Sequence, residues 1–111
     1  MLTEKDYCDY DTQKLLMNLG FPMQAQSYDL GKDVKEYLPK IHLYEAQKWL
    51  REVKNISVLV GYDKLYGSNE VQYDCVITNE HIDLPSDIFY SSYEEALLEG
   101  IKEAIKILKN Q

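Results

Sequence analysis

Two alternating runs on either side of one turn constrain this chain more than any other feature. Ile56, Val58, Val60 and Tyr62 alternate with Ser57, Leu59 and Gly61, and Val71, Tyr73, Cys75 and Ile77 alternate with Gln72, Asp74, Val76 and Thr78. Successive side chains of a strand point to opposite faces, so each run presents one apolar and one mostly polar side. Gly67-Ser68-Asn69, between the runs, is a cluster of turn formers. The runs are expected to pair antiparallel as a hairpin, and such a pattern needs a helix layer on one side only.

Three helices are expected to supply that layer. The sharpest boundary is Ser92-Tyr93-Glu94-Glu95, which reads as a capping box. The serine side chain takes an orphan amide, and Glu95 is expected to reach back to the serine amide. Leu97, Ile101, Ala104, Ile105 and Leu108 then form the apolar stripe. Gly100 interrupts this helix at a cost of about 1 kcal/mol relative to Ala, a cost that makes sense where the sheet approaches closely. A second helix spans Leu43 to Lys54, with Ala46, Trp49, Leu50 and Val53 on the buried stripe and Glu45, Lys48, Arg51 and Glu52 opposite. Asn55 ends it. A first helix from about Asp6 to Leu19 puts Cys8, Leu15, Leu16 and Leu19 on one stripe and stops at Gly20. Its cap is Thr3, or Asp9 slightly later. Met23 to Leu30 alternates loosely and suggests a short edge strand. Residues 31–40 and 79–91 read as loops.

The expected fold is therefore α+β, with about three helices packed on one face of a small antiparallel sheet that contains a β-hairpin. The 111 residues suit a single domain over 1–111, and 45% hydrophobic with 28% charged residues is a folding composition rather than a disordered one. The polar start, Met1-Leu2-Thr3-Glu4-Lys5-Asp6, has no apolar core of an export signal, and apolar runs such as Val58-Leu59-Val60 fall far short of a membrane span. Cys8 and Cys75 form no CxxC pair and fit a reducing compartment. A cytoplasmic location and no membrane contact are the expectation.

Charge narrows the classes of partner. The net value is −7, and no Lys or Arg occurs between Leu65 and Ile101, a stretch that carries Glu70, Asp74, Glu80, Asp83, Asp87, Glu94, Glu95 and Glu99. Gripping a nucleic-acid backbone requires cations, so direct nucleic-acid binding is disfavoured. Ten tyrosines, against two Phe and one Trp, suit a shallow core or a contact surface. Tyr66, Tyr90 and Tyr93 lie in or beside loops and are expected to be exposed. Trp49 on the helix stripe reads first as a core anchor and second as a contact beside Tyr44. Tyr44, Trp49, Tyr66, Tyr90 and Tyr93 are thus the candidate partner contacts.

Catalytic patterns are missing. His42 reads as a helix-start residue. Glu80-His81-Ile82-Asp83 lacks the spacing of an established zinc or calcium loop. There is no GxSxG elbow and no glycine-rich phosphate loop. No catalytic residue, metal or cofactor is expected.

Two stretches carry a resemblance: Ala46-Gln47-Lys48-Trp49-Leu50-Arg51-Glu52-Val53, continuing to Ile56-Ser57-Val58, and Ser91-Ser92-Tyr93-Glu94-Glu95-Ala96-Leu97-Leu98-Glu99-Gly100-Ile101-Lys102-Glu103-Ala104. Together they resemble a family of short uncharacterised proteins from Bacteroidetes, their phages and mobile elements. The resemblance covers most of the chain, from the leucine-rich first helix ending at Gly20-Phe21. Where that family often has Thr before the second helix, this chain has His42. The resemblance implies the same fold and a mobile-element setting, and it implies no activity or cofactor. The leading functional expectation is a non-catalytic protein-interaction module, with an unknown protein partner or itself as a homodimer. The alternatives are an acidic nucleic-acid mimic that inhibits a DNA-binding protein, and a small enzyme with no recognisable site. The mimic requires its carboxylates to form rows on one surface.

Overall fold

The computed structural model describes residues 4–22, 40–64, 67 and 70–110. A short 3-10 turn, Glu4–Asp6, precedes α1 (Tyr10–Asn18), α2 (Leu43–Val53), β1 (Ser57–Lys64), β2 (Val71–Thr78), β3 (Asp83–Pro85) and α3 (Tyr93–Lys109). The strands form one antiparallel sheet in the order β1-β2-β3. The fold is α+β, as the sequence pattern indicates. The edge strand expected at 23–30 and most of the loop at 31–40 lie outside the described residues.

The hairpin register explains how the sheet faces divide. Val58 pairs with Ile77 and Val60 with Cys75, while Leu59 pairs with Val76 and Gly61 with Asp74. The Val58–Cys75–Ile77 face meets α3. Contact there is so close that a Cβ built on Gly100 would lie 2.5 Å from Val58 Cγ1 and 3.3 Å from Cys75 Cβ. Gly100 is the notch into which the hairpin seats, which explains a glycine in mid-helix. Around it, Leu97, Ile101, Ala104 and Ile105 of α3 join Leu16, Ile41, Leu43, Ala46, Leu50, Ile56, Val58 and Ile77 in one buried cluster. Each Leu, Ile or Val of this cluster contributes roughly 1.5–3 kcal/mol by leaving water.

The ends of the elements follow local chemistry. Asp9 caps α1, its carboxylate accepting the Thr12 N–H at 2.9 Å. Helix α1 therefore begins at Tyr10 rather than near Asp6, because Asp9 takes the cap with its own backbone extended. Cys8 lies ahead of the helix, yet it is buried, with its N–H donating to the Ile41 carbonyl at 2.8 Å. Gly20, at φ +103°, closes the helix in a conformation that side chains resist. Asn55 adopts φ 56°, and the chain turns so that the Ile56 N–H donates to the Leu50 carbonyl. Val53, in the last residue of α2, is consequently 59% exposed rather than on the buried stripe.

At α3 the Ser92 hydroxyl accepts the Glu95 N–H at 3.1 Å, as a cap should. The Glu95 carboxylate does not return to the serine amide. It accepts a hydrogen bond from the Ser91 hydroxyl at 2.9 Å instead. The stretch 79–91, expected as irregular, contains β3. Asn79 makes this possible: its side-chain oxygen accepts the N–H groups of His81 and Ile82, reversing the chain in two residues.

Gly100→Ala tests the notch. Helix propensity alone would make it stabilising by about 1 kcal/mol. The clash with stiff, β-branched Val58 should instead make it destabilising by about 1–3 kcal/mol in urea unfolding. The loss should shrink when Val58→Ala is already present; a stabilised Gly100→Ala would contradict the packing.

Candidate interaction surface

The five candidate contacts separate in space. Tyr44 of α2 is exposed, and its ring centroid lies 6.3 Å from that of Tyr93. Tyr93 is also 6.3 Å from Tyr73, edge to face. Tyr73 in turn exchanges both backbone hydrogen bonds with Tyr90, at 2.9 and 2.7 Å. Tyr44, Tyr93, Tyr73 and Tyr90 thus form one row across the start of α3. Trp49 lies elsewhere. It is half-buried against the core, with Phe21 edge-on at 5.3 Å and the Lys54 ammonium 5.5 Å above its ring. Tyr66 lies outside the described residues. Tyr90 and Tyr93 are half-buried rather than exposed, because the backbone bridge to Tyr73 and the first turn of α3 hold them inward.

His42 opens α2 without a side-chain cap, its ring tilted at 49° to that of Tyr7 with centroids 4.4 Å apart. His81 is exposed in the β2–β3 turn. Among the described residues no group of three or more His, Cys, Asp or Glu side chains could hold a metal ion. No described helix is long and apolar enough to cross a membrane.

Both cysteines are free and buried. Burial, reinforced by the Asp9 and Glu45 carboxylates, pushes the Cys8 thiol up from 9.0 to about 12. Burial also raises Cys75, against a lowering hydrogen bond involving Ser86, with Asp74, Glu103 and Glu99 adding to the rise. Both side chains therefore sit as neutral thiols, a poor state for a nucleophile.

The surface that periodicity alone did not expose is the β1 edge of the sheet, which the described residues cover only in part. Gln47 donates its side-chain N–H to the Val58 carbonyl at 2.6 Å, so the backbone groups of Val58 point away from β2. In an antiparallel ladder the backbone direction alternates by residue, and Val60 and Tyr62 therefore point the same way. Gln47 of α2 covers Val58, but no described residue covers Val60 or Tyr62. Leu59 and Tyr62 stand 52% and 71% exposed along this strand. The opposite edge differs: β3 is three residues long and ends at Pro85.

Two carboxylates of the basic-free stretch lie on different surfaces. Asp74 lies on the sheet face away from α3, whereas Glu99 lies on α3 itself. No family model, curated protein or solved structure matches this chain.

The thiol environments give a direct test. Native protein at mild alkaline pH should react with a thiol-specific disulfide reagent far more slowly than unfolded protein, at both Cys8 and Cys75. Folded Cys8 keeps its proton between 9.0 and about 12 while the unfolded chain loses it. Stability should accordingly fall as pH rises through that window, and Cys8→Ala should flatten the fall. Rapid labelling of native Cys8 would contradict this placement.

Proposed function

We propose that this chain is a non-catalytic protein-interaction module that pairs with a second copy through the edge of β1. The supporting observation is that no described residue pairs with the outward backbone of Val60 and Tyr62 on an eight-residue strand. Unpaired strand edges template the addition of another strand. Antiparallel pairing about Gly61 sets Val60 of one copy against Tyr62 of the other, and each pair exchanges both of its backbone bonds. The arrangement is self-complementary, as a twofold dimer requires. It would join two three-stranded sheets into one of six. The outer face of that sheet, with Leu59 paired beside Val76, would run unbroken across the junction. The neutral, buried thiols do not favour a catalytic reading. A cytoplasmic, mobile-element setting fits a small acidic adaptor of this kind.

Light scattering after size exclusion should show twice the monomer mass at high protein concentration, shifting toward monomer on dilution. Val60→Pro removes an N–H that faces the open edge, and Tyr62→Lys places a charge on it. Each should leave the circular dichroism spectrum intact and the protein monomeric. A wild-type chain that stays monomeric at every concentration, or variants that dimerise undiminished, would defeat the proposal.

A further inference from the structure

On the far side of the sheet from β1, a groove of about 320 Å³ runs between α3 and the β3 segment. That size is at the lower end of ligand pockets, roughly 300–1,000 Å³, and it suits one large side chain. Its apolar lining comes from Ile77, Leu84, Ile88 and Tyr90. Leu84 and Ile88 remain 47% and 61% exposed, and neighbouring Phe89 is 51% exposed. Leu84 and Ile88, left in water on the wall of a concavity, mark a surface that gains by being covered.

The rim says what covers it. Asp87, Glu99 and Glu103 line the groove, and no Lys or Arg does. Two of these carboxylates already have a cationic neighbour on α3. Lys102 places its ammonium 3.0 Å from Asp9 and 3.4 Å from Glu99, and Lys106 lies 3.8 Å from Glu103. These are exposed pairs of small worth, which an incoming guanidinium can replace with a planar, two-pronged contact. Strand addition is not available on this side, because β3 is short and Pro85 lacks an N–H. We propose that this groove docks a basic amphipathic segment of a partner protein, with one large apolar side chain seated on Ile77, Leu84 and Ile88 and flanking Arg or Lys residues on Glu99, Glu103 and Asp87. The groove is separate from the β1 edge, so either surface can fail without the other.

The test uses the full-length protein and a labelled probe peptide, Gly-Ser-Arg-Arg-Trp-Arg-Arg-Ser-Gly, followed by fluorescence anisotropy. Binding should weaken as salt rises. Replacing the probe's Trp by Ala should weaken it by about tenfold, as expected for a large apolar anchor. The double variant Glu99→Gln/Glu103→Gln should weaken the intact probe by a similar factor, about tenfold, and Leu84→Ser should reproduce the loss of the anchor. A control double variant on the exposed face of α2, Glu45→Gln/Glu52→Gln, should leave binding unchanged. The proposal is overturned if the probe does not bind. It is equally overturned if the Trp and Ala probes bind alike, or if the two double variants weaken binding equally, since net acidity alone would then account for the attraction.

Discussion

The seat of the hairpin on Gly100 is the contact from which the rest of the structure follows. Without a Cβ at that position, α3 comes close enough for Val58 and Cys75 to fill the notch. That approach buries the inner face of β1 and β2 and brings Leu97, Ile101 and Ile105 into the same cluster as Leu50 and Ile56. Glycine costs the helix about 1 kcal/mol, which a few buried aliphatic groups offset. With α3 committed to the inner face, the outer face carrying Leu59, Asp74 and Val76 is left without a described helix against it.

The two edges of the sheet are treated in opposite ways. On the β3 side the strand is short and proline-ended, a common means of blunting an edge. On the β1 side the strand runs for eight residues, and among the described residues Gln47 reaches one of its outward groups, the Val58 carbonyl. An asymmetry of this kind is what a self-pairing sheet needs, since a molecule open on both sides would polymerise. The proposed groove lies against the blunted side, so pairing and docking need not compete.

Much of the fold was legible because its signals are local. The Ser92 cap, the alternation of Val58 and Ile77, and the stripe from Leu97 to Ile105 each depend on spacing within a few residues. The misses arose where tertiary geometry decides. Cys8 falls on a helical stripe, but the carboxylate of Asp9 caps the helix after it. Glu95 had two serines within reach and bonded to Ser91. Strand β3 depended on the Asn79 side chain closing a tight turn. Of the candidate contacts, Tyr44, Tyr90 and Tyr93 converge through Tyr73, a residue whose alternation gave no hint of that role. The outward backbone of Val60 and Tyr62, which no described residue covers, had no compositional signature at all. It emerges only from knowing which way the Val58 carbonyl points.

Hydrogen exchange at single-residue resolution, compared between dilute and concentrated protein, tests the central claim most directly. Leu59 and Gly61 bond inward to β2, and their amides should be protected at both concentrations. The amides of Val60 and Tyr62 should exchange quickly in dilute protein and become protected as concentration rises. Fast exchange of Val60 and Tyr62 at every concentration, beside protected Leu59 and Gly61, would show that the β1 edge stays open and would contradict the account.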